Sequence, residues 1–331
     1  MTSNPKGAVA RVPGRLKSPV VPVAALLAAL VLLTSLPYLL QAYGVGLVTE
    51  TLILGLWAVS LNVLAGQTGL MSMGHAATLG TSAYVLALLQ RQLGWSFFQA
   101  APAAIAAAVA ISVLFALSAS RSSGVYFILV TLAQGMLVWG VIQRWSTVTG
   151  GDDGMRGIER PEAFSDYYSY YWFALWVVGG SLIVLLFIQR SKIGLRLRGI
   201  RDSPKRMAAL GYSVGAQRLV AFCISGFFAG IAGVLYAGYA QFISPGTVYV
   251  TQSVEGLLMV ILGGINSFFG PMIGAAVVLF GRAGLSLYTE RWLTIMGVIL
   301  ILVVLFGHDG IVGRARASST AIRRRIRGRA E

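Results

Sequence analysis

Eight long stretches without Asp, Glu, Lys or Arg constrain this chain of 331 residues more than any other feature. They cover residues 18–49, 51–90, 92–120, 122–143, 167–189, 219–254, 256–281 and 292–308. A helix that crosses a lipid bilayer needs about 20 predominantly apolar residues, so most of these stretches can cross once and the longest can cross twice. Only 11% of the residues are charged, against about a quarter in soluble domains. An ordinary soluble fold is therefore excluded.

Glycines, prolines and polar clusters divide these stretches into about ten predicted spans, with 8–10 as the expected range. The spans lie near 19–41, 44–66, 70–90, 95–118, 124–144, 170–189, 217–240, 252–266, 270–287 and 290–308. The predicted fold class is an all-α, polytopic, membrane-embedded helical bundle. We expect short or broken helices near 66–80 and 252–274, because glycines and a few polar side chains interrupt both regions.

The basic residues predict how the spans are oriented. With a cytoplasmic N-terminus, 20 of the 26 Lys and Arg residues lie in inside segments and 6 lie outside, as the positive-inside rule requires. This orientation gives a cytoplasmic segment 1–18, a transmembrane domain 19–308 and a basic cytoplasmic tail 309–331. Within the domain we expect an external loop at 145–169 and a cytoplasmic loop at 190–216.

The sequence lacks the motifs of the common catalytic classes. It contains no Gly-x-x-x-x-Gly-Lys-Ser/Thr, His-Glu-x-x-His or Gly-x-Ser-x-Gly pattern, so it has no phosphate-binding loop, zinc-hydrolase helix or serine nucleophile of those types. Asp152 and Asp153 form a glycine-flanked acidic pair, which is more typical of a solvated turn than of a cation site. We expect no metal or cofactor. The net charge of +15 sits between apolar spans and indicates topology rather than nucleic-acid binding.

A few polar residues inside the spans are candidates for a transport path. Glu255 should face protein or water, since a carboxylate in lipid is costly. His75 lies in the first glycine-rich interruption, and for both residues a helix-packing role competes with a direct role. The candidate path residues are Gly69, Ser72, Gly74, His75, Thr78, Glu255 and Asn266.

The loop that follows the sixth predicted span specifies a short surface helix. Ser203 suits the N-cap, Pro204 the first helical position, and Gly211 a left-handed C-terminal position. The helix should have about two turns and a length of roughly 10 Å. Met207 and Leu210, three residues apart, would form an apolar knob. Such a helix can seat in a groove of a cytosolic partner or lie on lipid.

Three blocks of the sequence resemble the permease subunits of branched-chain amino acid ABC importers, a type that also occurs in urea and amide importers. The blocks begin LNVLAGQTGLMSMGHAATLG at 61, GVYFILVTLAQGMLVWG at 124 and SKIGLRLRGIRDSPKRMAALGYSV at 191. The resemblance implies that the 190–216 loop docks on an ATPase subunit. The resemblance implies this docking role for Arg201, Ser203, Pro204, Lys205, Arg206, Met207, Leu210 and Gly211.

The resemblance also implies partners and a location. These are two cytosolic ABC ATPase subunits that bind the ATP, a second homologous permease, and a periplasmic or lipid-anchored solute-binding protein, in lipid of a bacterial inner membrane. Thr78 stands where family members usually carry a bulky aromatic residue, so the solute stays open among branched-chain amino acids, other amino acids, urea and amides.

Two other functional classes stay open at this point. An ion-coupled secondary transporter of a small polar solute would act without ATPase partners. An integral membrane enzyme acting on lipid or isoprenoid substrates would use Asp152 and Asp153 as metal ligands.

Overall fold

A computed structural model of the chain describes residues 33–286 and, beyond them, residues 288, 291, 294, 295, 297, 298 and 301. The chain divides into a unit that ends at Gln41, in which residues 33–39 are helical, and a main unit that begins at Ala42. The predicted segments 1–18 and 309–331 lie outside the described residues. So do most of the predicted first and last spans, 19–41 and 290–308.

Within the described part of the main unit, ten helices are longer than four residues. They are α1 (Ala42–Thr68), α2 (His75–Leu93), α3 (Phe97–Ala119), α4 (Val125–Arg144), α5 (Tyr167–Arg190), α6 (Lys192–Asp202), α7 (Pro204–Ala209), α8 (Val214–Ala240), α9 (Val250–Gly263) and α10 (Gly270–Ser286). Five of them, α1, α3, α4, α5 and α8, are long and apolar enough to cross a membrane. The expected all-α, polytopic membrane bundle is confirmed.

The eight predicted spans between residues 44 and 287 each correspond to one helix. Most boundaries agree within three residues, since glycine and polar residues do end these helices. The largest difference is at α2, which begins at His75 instead of residue 70 because residues 69–74 form a non-helical connection. The prediction of short helices near 252–274 also holds, because α9 has 14 residues and α10 has 17.

Helix α1 is the centre of the bundle. Its apolar residues are distributed around the whole circumference, and 20 of its 27 residues are buried, as expected for a helix that packs against others on all sides. Its few hydroxyl side chains bond to carbonyls of the same helix, for example Thr49 to Val45 at 2.8 Å and Thr68 to Leu64 at 2.7 Å. They therefore need no water inside the bundle.

Glycines of α8 allow that helix to approach two neighbours closely. A Cβ atom at Gly230 would lie 2.9 Å from the Cβ of Ala108 on α3, and one at Gly233 would overlap the Leu79 carbonyl on α2. Small residues at helix interfaces let membrane helices associate through backbone contact. The glycine spacing of α8 thus serves helix packing.

Two short strands mark one end of the bundle, which we call the strand end. Strand β1 (Met155–Arg156) pairs antiparallel with β2 (Phe242–Ile243), which follows α8. Nearby, Arg160 donates hydrogen bonds to the carbonyls of Gly238 and Tyr239, both at 2.9 Å. The loop that contains residues 145–166 is therefore fastened to the end of α8. We call the opposite end, which carries α6 and α7, the basic end.

Candidate translocation path and coupling segment

The first break, residues 69–74, separates α1 from α2. It begins at Gly69, which adopts a left-handed conformation with φ +73°. Residues other than glycine rarely adopt this conformation. The N–H of Leu70 then donates to the carbonyl of Leu64 at 3.0 Å. The chain thereby reverses direction at the end of α1.

His75, the first residue of α2, lies in the interior with 2% of its surface exposed. Its imidazole stacks on the Trp57 indole of α1, and Nε2 lies 2.9 Å from the Ser60 hydroxyl oxygen. The His75 carbonyl accepts hydrogen bonds from Trp57 Nε1 at 3.3 Å and from the Thr78 hydroxyl at 2.7 Å. Because Ser60 is eight residues before the end of α1, α2 begins well inside the bundle.

Side chains from two other helices accept hydrogen bonds from backbone N–H groups of the first break and of the start of α2. The N–H groups in the first turn of a helix lack partners within the helix. The N–H of Ala76 donates to the Ser253 hydroxyl of α9 at 3.0 Å, and the N–H of Met73 donates to the Thr131 hydroxyl of α4 at 3.1 Å. A side chain at Gly74 would overlap the Thr131 carbonyl. The first break is therefore a closely packed joint between α1, α4 and α9.

The second break, residues 264–269, separates α9 from α10. Gly264 has φ +104°, a value accessible to glycine. A Cβ atom at Gly274 would overlap the Met259 carbonyl, and one at Gly263 would overlap the Gly270 carbonyl. Helices α9 and α10 are therefore in backbone contact around this break.

The two breaks meet at the end of α1. Asn62 Nδ2 donates to the carbonyl of Ser267 at 3.1 Å. A Cβ atom at Gly66 would lie 2.6 Å from the Ile265 carbonyl oxygen, so no larger residue fits there. Within the described part of the chain, Asn62 Oδ1 and Ser267 Oγ are buried without a hydrogen-bond partner. The two sequence interruptions that look alike are thus neighbours in space.

An ion cluster joins α1, α9 and α10 on the strand-end side of this junction. Arg282 Nη2 lies 2.6 Å from Glu50 Oε1, and Arg282 Nη1 lies 3.3 Å from Glu255 Oε1. Glu255 is 8% exposed, which confirms that it faces protein. Glu50 was not among the predicted path residues, although it is the sole Asp, Glu, Lys or Arg between Lys17 and Arg91. Arg282 is one of the six basic residues assigned to the outside from the sequence, and it lies within α10.

The predicted path residues fall into three environments. Ser72, His75 and Thr78 are 1–2% exposed and belong to the packed joint. Glu255 belongs to the ion cluster. Gly69 and Asn266 lie at the exposed surface of the two breaks. The structure brings Asn62 of α1 together with Ser267 of the second break, and neither was among the residues predicted from the sequence.

The predicted surface helix is present as α7. The Ser203 hydroxyl accepts a hydrogen bond from the N–H of Arg206 at 3.3 Å, Pro204 is the first helical residue, and Gly211 has φ +86°. Leu210 is 72% exposed, and Lys205 is also exposed.

Met207 differs from the expectation of an exposed apolar knob. Its sulfur would lie 2.7 Å from a Cβ atom at Gly199, so Met207 packs on α6. Of Met207 and Leu210, only Leu210 projects as an exposed apolar side chain. We call α7 together with Leu210 and Gly211 the coupling segment.

Helix α6, which precedes the coupling segment, was not predicted from the sequence. Its buried residues Gly194, Leu197 and Ile200 recur at intervals of three, which is a helical spacing that the sequence contained. Arg201, in the last turn of α6, donates through Nη1 to the Gly66 carbonyl and through Nη2 to Asn266 Oδ1 at 2.7 Å. Its side chain therefore turns toward the breaks.

Metal ligation finds no support in the described residues. Among them, no group of three or more His, Cys, Asp or Glu residues is close enough to hold an ion. Asp152 accepts a hydrogen bond from the Gln143 side chain, within a short helical turn. The acidic pair is therefore part of a turn at the strand end.

Apolar spanning helices, two helix breaks at one junction and a capped basic surface segment define a membrane-embedded transport subunit. A family model described as the permease component of branched-chain amino acid transport systems matches residues 43–304, and the chain belongs to this family. It is a multi-pass inner-membrane permease component of an ABC importer and has no ATPase motif of its own.

Curated relatives agree with this family. The chain is 28% identical to the high-affinity branched-chain amino acid transport system permease protein LivM of Escherichia coli (strain K12), over 88% of this chain and 75% of the relative. It is 27% identical to LivM of Salmonella typhimurium over the same shares. It is 25% identical to LivH of Escherichia coli (strain K12), over 78% of this chain and 90% of the relative. No solved structure matches.

Proposed function

We propose that this chain imports branched-chain amino acids as one of two homologous permeases. In this proposal two cytosolic ABC ATPase subunits bind the ATP, and a periplasmic or lipid-anchored binding protein delivers the solute. The names of relatives that cover most of the chain support the solute class. The match of the family model to the bundle supports the importer assembly.

We propose that the basic end faces the cytoplasm, with both termini on that side. The charge distribution supports this orientation, because the loop at 190–216 and its flanks hold basic residues on α6 and α7 that are exposed, among them Arg198, Lys205 and Arg206. The strand end, with loop 145–169, would then receive the solute from the binding protein.

The observation that carries the proposal is the geometry of the coupling segment. It is a rigid, capped helix whose Leu210 side chain projects from the basic end. An exposed apolar side chain flanked by Lys205 and Arg206 fits a groove on a soluble subunit. Movement of ATPase subunits can be transmitted through such a contact as a rigid-body displacement.

The proposed path follows the two helix breaks and the ion cluster. Broken helices expose backbone and polar groups to a solute in transporters of several folds. Among the predicted residues, we propose Glu255 for direct contact with the solute, while Asn266 would shape the second break. Gly69, Ser72, Gly74, His75 and Thr78 would shape the path through the packing of the first break.

Reconstitution tests the proposal. The chain, a partner permease, the ATPase subunits and the binding protein are placed in liposomes with internal ATP, and uptake of labelled leucine, urea and acetamide is compared. ATP-dependent accumulation of leucine supports the proposal. Accumulation of urea or acetamide alone would show that the proposed solute is wrong. Accumulation by the isolated chain under an ion gradient would show that the proposed ATP-driven mechanism is wrong.

A further inference from the structure

One side chain of the basic end touches both helix breaks. Arg201 lies in the last turn of α6, immediately before the coupling segment. Its guanidinium donates to the Gly66 carbonyl at the end of α1 and to Asn266 Oδ1 in the second break. Its Cγ would lie 3.4 Å from a Cβ atom at Gly69, in the first break.

We propose that Arg201 is a positioning residue that links the coupling segment to the path. Its side chain holds the two breaks together when the basic end of the path is closed. This inference rests on the proposed import function and names the residue through which movement of the coupling segment reaches the path. Displacement of the coupling segment would move the end of α6 and draw the guanidinium away from Gly66 and Asn266.

The chemistry of the guanidinium suits this role. Its planar fork of donors can bridge two acceptors on separate elements, which a lysine ammonium cannot do with the same geometry. A cation beside the last carbonyls of α1 also complements the negative end of that helix dipole. Arg201 and Asn266 are both exposed, so water can replace these bonds when they open.

The junction beneath Arg201 has groups that gain partners when it opens. Asn62 Oδ1 and Ser267 Oγ are buried there without a partner among the described residues. An unsatisfied buried acceptor is costly, and water that enters an opened junction would satisfy it. Close packing at Gly66 favours the closed arrangement, and hydration of these two buried atoms would favour an open one.

Transport measurements test the proposal in the complete importer. Arg201→Gln should lower the leucine accumulated per ATP hydrolysed about tenfold, equivalent to ~1.4 kcal/mol, while assembly and the ATPase rate stay within about twofold. Arg201→Lys should give an intermediate ratio because it keeps the charge but not the fork. Arg198→Gln, which removes an exposed charge from the same helix, is the matched control and should keep the wild-type ratio.

Asn266→Ala should reproduce part of the loss seen in Arg201→Gln, because the hydrogen bond from Arg201 to the Gly66 carbonyl remains. The double variant should lose no more than Arg201→Gln, since the contact between Arg201 and Asn266 is already absent there. A wild-type ratio in Arg201→Gln would overturn the proposal, as would additive losses in the double variant. An equal fall in assembly and ATPase rate would also overturn it, because Arg201 would then serve docking or folding.

A labelling measurement separates this proposal from the choice of solute. In a Cys223→Ser background, which removes the single cysteine, Ser267→Cys places a reporter thiol at the buried junction. Arg201→Gln should speed its reaction with a maleimide about tenfold, equivalent to ~1.4 kcal/mol in opening, and Arg198→Gln should not. An unchanged rate overturns the role of Arg201. Failure of the wild-type importer to accumulate leucine overturns the proposed solute alone.

Discussion

The indole of Trp57 and the imidazole of His75 lie nearly parallel, with ring centroids 5.7 Å apart and planes inclined by 13°. Gly256 of α9 makes this stack possible, because a Cβ atom there would lie 2.5 Å from the Trp57 ring. Three helices therefore converge on one aromatic pair. His75 is held through its ring and its carbonyl, and we propose that it fixes where α2 begins.

His75→Ala should destabilise the protein by about 2–4 kcal/mol, because it leaves a cavity beside Trp57 and removes a hydrogen bond to Ser60. The measurement is the thermal midpoint of the detergent-purified chain, compared with Tyr126→Ala, whose side chain is 77% exposed. A midpoint like that of the control, combined with lost uptake, would instead assign His75 to the path.

The ion cluster predicts an unequal response of its three members. Arg282→Gln leaves two carboxylates facing each other inside the bundle and should cost about 3 kcal/mol, the lower end for breaking a buried ion pair because these side chains are partly exposed. Glu50→Gln leaves Glu255 to pair with Arg282 and should cost less. Thermal midpoints of both variants check this order, with the exposed Arg190→Gln as control.

The triple variant Glu50→Gln, Glu255→Gln, Arg282→Gln extends this test. It removes every charge of the cluster and should recover most of the stability lost in Arg282→Gln, since uncompensated charge is the main penalty. A triple variant less stable than Arg282→Gln would contradict this account.

Local patterns predicted the elements but not the contacts between them. Ser203, Pro204 and Gly211 specify α7 through capping chemistry within nine residues, and glycine clusters specify both breaks. The ion cluster escaped prediction because Glu50, Glu255 and Arg282 are far apart in sequence and meet through the packing of α1, α9 and α10. The direction of the Arg201 side chain likewise depends on how α6 packs beside α1, which no local pattern records.

The coupling segment gives a prediction about partner binding. Leu210→Asp should reduce co-purification of the ATPase subunits and uptake by at least about tenfold, since a charge in an apolar contact carries a desolvation cost above ~1.4 kcal/mol. Membrane insertion should be unchanged because Leu210 is 72% exposed. Leu195→Asp, at a position 66% exposed on α6, is the matched control.

Met207→Asp is a different test from Leu210→Asp. Because Met207 packs on Gly199, this change should lower the stability of the α6 and α7 pair as well as partner binding. Normal co-purification in Leu210→Asp would contradict docking through this segment.

Two glycines in different surroundings give opposite predictions for the same substitution. Gly233→Ala should lower the thermal midpoint by an amount equivalent to about 1–3 kcal/mol, because its Cβ would overlap the Leu79 carbonyl and the Ser82 hydroxyl of α2. Gly180→Ala should leave the midpoint unchanged or raise it, since no atom lies within 4 Å of its Cβ position and alanine favours helix by about 1 kcal/mol. Equal midpoints for the two variants would show that close contact between α2 and α8 does not stabilise the bundle.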